Sequence, residues 1–368
     1  MNSILVTVGT SLLTNMQRDN LEATVQPVRL QYIREKGEQK ASAETNSLRL
    51  LLEKMSPKNT KILFFHSDTE DGERCAQTLE RYYDGQGYQA ETRRVEGLQY
   101  RQEAFKAAGL RNLVRELAST TRREQEAGRA VHINATGGFK AEIAYATLIG
   151  LLFDVPVYYL HERFNDLIQM PPAPIAWDYS LLAEYDAVLN WLEAAGQRKL
   201  EELWNFAHQH GIDCETDLGW RKIDLILDHE PIDGHIYVAL SPAGEAYYEA
   251  YRAHLERPGD PVYLTQEVSE RLERLEPSKR QEIEALLQKL SHRPFWQGSA
   301  EKMRDSGLWV YPRGPRNARI AFYLDEGGNG VRVCEIAWHN DGSYDALCDR
   351  KPQAESYRNA QWHIWTRR

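Results

Sequence analysis

Short apolar runs rich in β-branched residues recur along the first half of the chain. They fall at residues 3–8 (SILVTV), 61–65 (KILFF), 88–94, 130–135 (AVHINA) and 156–160 (PVYYL). Between them lie stretches at 43–56, 70–84, 100–127 and 139–153 with helical character. Strand-length apolar runs alternating with helical stretches predict βαβ units and a parallel sheet. The alternation stops near residues 169–178 (QMPPAPIAWD), whose prolines predict a linker.

The pattern then changes. Residues 179–211 (YSLLAEYDAVLNWLEAAG, then QRKLEELWNFAHQHG) space their apolar positions by three and four, which predicts helices. A further helix, a turn at Pro231-Ile232-Asp233-Gly234, a short strand and a helix capped by Ser241-Pro242 follow. This order suggests a winged helix-turn-helix, acting as a DNA reader or as a connector. Beyond ERPGDP, two helices are expected before the β-like runs GLWVYP, ARIAFYLD and VRVCEIAWHND. A glycine-rich turn at residues 326–330 joins the last two runs and signals a hairpin. The expected organisation is an α/β domain over 1–170, a mainly helical winged-helix connector over 171–257, and a small α+β domain over 258–368.

Composition adds exclusions. A length of 368 residues favours two or three domains, and 42% hydrophobic with 27% charged residues is ordinary for a globular chain. No apolar run approaches the ~18 residues of a membrane span, and the start MNSILVTVGTS lacks a signal-peptide pattern. Cys75, Cys214, Cys334 and Cys348 are scattered without a C-x-x-C, which points to a reducing cytoplasm and away from structural zinc. The net charge of −9 argues against a general nucleic-acid coat. Residues 291–320 nevertheless hold six Lys or Arg against two Asp or Glu, a local +4 that suggests one confined polyanion site. The winged-helix region is poor in cations: Arg221 and Lys222 are the only Lys or Arg between Ile212 and Tyr251. That favours the connector, because DNA affinity rests on phosphate neutralisation.

Two loops carry the first candidate chemistry. VTVGTSLLTN (6–15) and INATGGFKAE (133–142) each run from a strand, through small, hydroxyl and glycine residues, into a helix. In an open parallel sheet such loops lie at the carboxyl ends of strands, where ligands bind. Glycine lets a ligand approach the backbone, and the helix that follows offers unpaired N–H groups to phosphate. Thr10, Ser11, Asn15, Asn134 and Thr136 offer hydrogen bonds, and Lys140 a charge. Neither loop fits a dinucleotide fingerprint or a P-loop, so no such cofactor is expected.

The pair ILVTVGTS and NATGGFKAE resembles the CARF domain of CRISPR-associated effectors, over about residues 1–165. The resemblance implies a Rossmann-like fold, a two-fold homodimer and recognition of a cyclic oligoadenylate. Cyclic tetra-adenylate is favoured, with cyclic hexa-adenylate as the alternative. The implied pocket residues are Gly9, Thr10, Ser11, Asn15, Asn134, Thr136, Gly137, Gly138 and Lys140. A two-fold dimer presents each loop twice, matching a ring of phosphates of even symmetry. Some members of this family cleave their ligand slowly with a serine and a lysine, a role open to Ser11 and Lys140.

The C-terminal segment resembles a RelE-type toxin, a ribosome-dependent mRNA endonuclease, over about residues 260–350. The resemblance rests on the helix pair at 263–291, LWVYPRGPRNARIAFYLD and VRVCEIAWHNDGSYDAL. Arg319 takes the place of an arginine in the second strand, and Tyr344 that of a late tyrosine. Arg313 and Arg316 lie in the preceding hairpin, while lysines that the family often carries in the first strand are missing from LWVYP. Attack of a 2′-hydroxyl on the adjacent phosphate needs a base, cations for the phosphorane and an acid, and no metal. Arg313, Arg316 and Arg319 are assigned to phosphate charge, and His339 to proton transfer. Tyr344 is assigned to base stacking or acid help. The ribosome and mRNA are the implied partners.

Two other readings compete. RNAQWH places Arg358 and His363 at the R-x4-H spacing of HEPN ribonucleases, which carry that pair on a long helix. A ligand-sensing transcription regulator using the winged helix is the non-enzymatic reading.

Overall fold

The computed structural model describes all residues except 54, 56, 100–107, 162–165, 174, 176, 314–316, 326, 328, 329, 367 and 368. The chain divides into two compact units: Met1–Ile175 with Ser241–Ala250, and Ala176–Leu240 with Tyr251–Arg368.

The first unit is built on a six-stranded sheet. Its strands are β1 (Asn2–Val8), β2 (Thr60–Ser67), β3 (Gln89–Val95), β4 (Ala130–Asn134), β5 (Val157–His161) and β6 (Asp166–Met170). They lie side by side in the order β3-β2-β1-β4-β5-β6. Every pairing is parallel except β5 with β6. The order runs outward in one direction from β1 to β3 and in the other from β4, so the chain reverses between β1 and β4. Ligands of open α/β sheets bind at that switch point, beyond the carboxyl ends of the strands. Ile4, Leu5, Val6, Ile62, Leu63 and Phe64 are fully buried, as a central parallel strand covered on both faces requires.

The helices of this unit are α1 (Ser11–Arg18), α2 (Gln26–Lys36), α3 (Glu38–Ala41), α4 (Ala43–Leu52), α5 (Glu70–Asp84), α6 (Leu110–Glu126) and α7 (Lys140–Leu152). Local chemistry starts two of them. Ser42 and Thr45 form a reciprocal capping box on α4, and Thr69 caps α5 by accepting from the Gly72 N–H.

The second unit opens with α8 (Ser180–Glu193), β7 (Arg198–Lys199), α9 (Leu200–Gln209), α10 (Leu218–Asp224), β8 (Leu227–Ile232) and β9 (His235–Leu240). The three strands form an antiparallel sheet in the order β7-β9-β8. Asp233 (φ 48°) and Gly234 (φ 79°) make its hairpin turn, where two consecutive positive φ values favour Asp-Gly. The strand β8 was not expected from the sequence; Pro231 sits inside it, at the edge of the sheet where a missing N–H is tolerated. Helix α11 (Pro242–Glu256) gives its residues through Ala250 to the first unit and the rest to the second.

The remainder runs β10 (Val262–Thr265), α12 (Gln266–Arg274), α13 (Pro277–Leu290), α14 (Arg293–Trp296), β11 (Glu301–Lys302), β12 (Trp309–Tyr311), β13 (Ala318–Leu324), β14 (Val331–Trp338), α15 (Ser343–Arg350) and β15 (Trp362–Ile364). One mixed sheet holds the strands in the order β11-β12-β13-β14-β10-β15. The expected meander is β12-β13-β14, while β10 pairs parallel with β14 and antiparallel with β15. One face of this sheet packs Ile320, Phe322 and Val333 against Ile283 and Leu287 of α13. The other packs Ala321, Cys334 and Ala337 against Leu347 of α15.

Candidate functional sites

The first site is the cleft above the switch point. It encloses about 630 Å3 and is walled by the loops after β1 and β4, by α1 and by the α3–α4 junction. The two loops touch each other. A Cβ on Gly9 would stand 2.8 Å from the Gly138 nitrogen, and one on Gly137 would meet the Thr7 carbonyl at 2.5 Å and the Glu44 carboxylate. Gly138 has φ 92°, and a Cβ there would strike Glu142. The glycines are therefore needed for close loop packing as well as for ligand approach.

Glu44 holds the loops together. One carboxylate oxygen accepts the Gly9 N–H at 2.8 Å, and the other accepts the Ser11 hydroxyl at 3.0 Å. Ser11 in turn accepts the Ala43 N–H at 3.0 Å, which ties α1 to the start of α4. The Thr7 hydroxyl donates to the Gly137 carbonyl at 2.6 Å and joins the second loop to the same network. Asn134 is fully buried; its amide donates to Ser47 and its carbonyl oxygen accepts from the Thr136 hydroxyl at 2.8 Å. Thr136 accepts from the Leu160 N–H, so it also anchors the loop to β5. Asn15 donates to the Ala41 carbonyl at 3.1 Å.

Of the nine expected pocket residues, Gly9, Thr10, Ser11, Asn15, Thr136, Gly137 and Gly138 face the cleft. Asn134 lies beneath it and positions Thr136. Lys140 is exposed at the start of α7. Sequence reading missed Arg18 and Lys40, the cations that do line the cleft, and Glu44 and Phe139 beside them. Arg18 sits seven residues, about two helical turns, beyond Ser11, a spacing that shares a face with it and was readable. Lys40 and Glu44 come from a segment with no motif of its own.

The second site lies on one face of the C-terminal sheet. Arg319 on β13 pairs across to Ala337 on β14. After β14 the chain turns at His339, whose N–H donates to the Asn317 carbonyl, and Gly342 (φ 73°) lets it fold back into α15. That return brings Tyr344 over Arg319, with the guanidinium carbon 5.4 Å from the ring centre. The His339 and Tyr344 rings meet edge to face at 4.4 Å. Arg319, His339 and Tyr344 are thus one cluster. Arg319 is only 2% exposed, while His339 is open to solvent.

Burial, then a hydrogen bond with Cys348, pushes the Tyr344 phenol up to about 12 against the opposing pull of Arg319. The phenol therefore keeps its proton at neutral pH. Arg313 follows the cis Tyr311–Pro312 bond; it is exposed and its N–H is bonded to the Ser299 carbonyl. Arg316 lies outside the described residues. Lys279 and Arg271, not anticipated, lie 5.0 and 5.4 Å from the Trp338 ring centre, and Lys279 pairs with Asp341 in the turn.

The HEPN alternative fails on geometry. Arg358 follows a single 3-10 turn and His363 is in the strand β15, so no long helix carries the pair. Asp325 is engaged by Arg332.

Residues 39–173 match the family described as "CRISPR-associated protein (Cas_APE2256)". This is a little over a third of the chain and includes α3, α4 and the second loop. Among solved structures, Can2 from Sulfobacillus thermosulfidooxidans, in complex with cyclic tetra-adenylate, is 11% identical with a TM-score of 0.23. The alignment covers 96% of this chain and 87% of that one. Protein VC1899 from Vibrio cholerae is 13% identical with a TM-score of 0.27, over 97% of this chain and 85% of that one. Among the described residues, no helix is long and apolar enough to cross a membrane.

Proposed function

We propose that this chain is a CRISPR-linked, cyclic-oligoadenylate-activated ribonuclease. In this reading residues 1–170 form a CARF sensor that pairs two-fold, 171–257 a winged-helix connector, and 258–368 a RelE-like cutter of ribosome-bound mRNA in the cytoplasm. The carrying observation is the contact of two glycine loops at the switch point of a parallel sheet, over a cleft bearing Arg18 and Lys40. The match of residues 39–173 to a CRISPR-associated family supports it.

The cleft suits a ribonucleotide phosphate ring. Thr10 and the Gly138 backbone offer hydrogen bonds, Thr136 holds the second loop in place, Arg18 and Lys40 offer charge, and a second copy doubles each. Cyclic tetra-adenylate is the favoured ring, as in the complex of Can2, and cyclic hexa-adenylate the alternative. A switch from 1:99 to 99:1 needs ~5.5 kcal/mol of differential affinity, within reach of a multiply charged ligand held twice. Slow cleavage of the bound ring by Ser11 and Lys140 belongs to the same proposal.

In the cutter, 2′-hydroxyl attack on the neighbouring phosphate needs no cofactor beyond protein groups. His339, exposed beside Tyr344, moves the proton. Tyr344 donates or stacks, and Arg319 with Arg313 and Arg316 stabilises the phosphorane. Tyr344 now covers Arg319, so a phosphate reaches that guanidinium only when the start of α15 shifts. Activation is read as that shift. The test is calorimetry of the full chain with cyclic tetra- and hexa-adenylate. Heat at one ring per dimer is expected with one of them, and its absence with both would end the reading.

A further inference from the structure

Arg358, singled out by its spacing to His363, is unused by the ribonuclease reading. It lines a cleft of about 330 Å3 in the second unit, together with Tyr323, Asp325, Arg332, Glu355 and Trp362. Arg332 is held rigidly there. Asp325 accepts from its Nε at 2.7 Å and from an Nη at 3.1 Å. Its guanidinium lies 4.0 Å from the Tyr263 ring centre and 5.0 Å from that of Trp362. Tyr323 meets Trp362 edge-on at 6.0 Å. Flat π surfaces and a fixed guanidinium plane thus converge on one concavity.

Its place in the sheet ties it to the cleavage centre. Tyr323 is the cross-strand partner of Arg332, and it stands four residues beyond Arg319 on β13. An even separation puts Arg319 and Tyr323 on the same face, about 13 Å apart at ~3.3 Å per residue. A short run of extended single strand spans that distance. Two arginines against Asp325 and Glu355 leave the cleft close to neutral. Such a cleft favours the ring of a base over dense phosphate charge. Single-stranded RNA is recognised in this manner, by stacking on aromatic and guanidinium planes with one cation on the backbone.

We propose that this cleft is a nucleotide subsite for single-stranded RNA, holding one residue that flanks the scissile phosphate near Arg319, His339 and Tyr344. The base stacks on Trp362, the exposed Arg358 contacts its phosphate, and the Glu355 carboxylate accepts from a donor edge of the base. The volume suits one nucleotide. The assignment rests on the ribonuclease reading and adds a substrate contact to it.

The test uses the full chain and a fluorescein-labelled, non-cleavable 2′-O-methyl RNA hexamer read by anisotropy. Arg358→Ala and Trp362→Ala should each weaken binding about tenfold, the scale of one lost base stack or backbone contact. Arg358→Lys should recover most of the loss, which a merely unfolded Trp362→Ala could not mimic. Hexamer affinity equal to wild type in Arg358→Ala and Trp362→Ala, or no hexamer binding by the wild type, overturns the subsite. Hexamer binding that depends on Arg358, in a protein that never cuts ribosome-bound mRNA, would sink the proposed function and leave the subsite standing.

Discussion

Replacing Glu44 by alanine tests whether one carboxylate organises the sensor loops. The substitution removes the acceptor of the Gly9 N–H at 2.8 Å and of the Ser11 hydroxyl at 3.0 Å, in a residue only 1% exposed. Hydrogen bonds to a charged group contribute ~1.5–3 kcal/mol each, and the Gly9 donor loses its partner outright. The expected cost is therefore about 3 kcal/mol, at the lower end for two such bonds. For a unit of this size each kcal/mol moves a thermal midpoint by ~2–4 °C, so the first unit should melt about 6–12 °C lower. Glu44→Gln keeps an acceptor for Gly9 and loses only the bond from Ser11, so it should forfeit about half of that. Differential scanning calorimetry resolves the transition, and calorimetric titration reports the ligand. If Glu44→Ala melts with the wild type, the carboxylate does not tie the loops and the account of their packing is wrong.

Other substitutions probe separate parts. Gly137→Ala should weaken ligand binding and cost ~1–3 kcal/mol of stability by overpacking, because its Cβ meets the Thr7 carbonyl and Glu44; unchanged titration isotherms would contradict this. Arg319→Ala should slow cleavage of ribosome-bound mRNA by roughly 100- to 1,000-fold, the scale of a lost charge-stabilising donor, and a rate equal to wild type would remove it from the site. Burial pushes His66 and His132 below the ordinary imidazole range. The unfolded chain then takes up protons first as pH falls through ~6.5, so the first unit should lose stability on acidification. Melting at pH 7 and pH 5 checks the sign, and a higher midpoint at pH 5 would refute it. Duplex DNA should give no gel shift with or without ring ligand, because α10 carries only Arg221 and Lys222; a specific shift would favour the transcription-regulator reading.

Strands β1, β2, β4 and β5 were legible as short apolar runs between helical stretches, whereas β3 reads QAETRRV and the antiparallel edge strand β6 was not expected. The loops were legible as runs of small, hydroxyl and glycine residues between a strand and a helix. Their internal wiring was not. Glu44 lies 35 positions from Gly9 in sequence, and nothing in AETNSLRLLL marks it as a buried acceptor. Strand β10 was hidden by its four residues, which run straight into α12. In the second site Arg319 and Tyr344 were placed by resemblance, and the structure brings them together with His339. Their spacing says nothing of it, since the contact depends on the turn at Gly342. That Tyr344 covers a buried Arg319 could not be read from either residue alone.

The most direct measurement is cleavage of mRNA on programmed ribosomes by the full chain, with and without cyclic tetra-adenylate or cyclic hexa-adenylate. The account predicts cuts only when one of these rings is present, and none without it. Equal cleavage in all three conditions, or no cleavage in any, would contradict it.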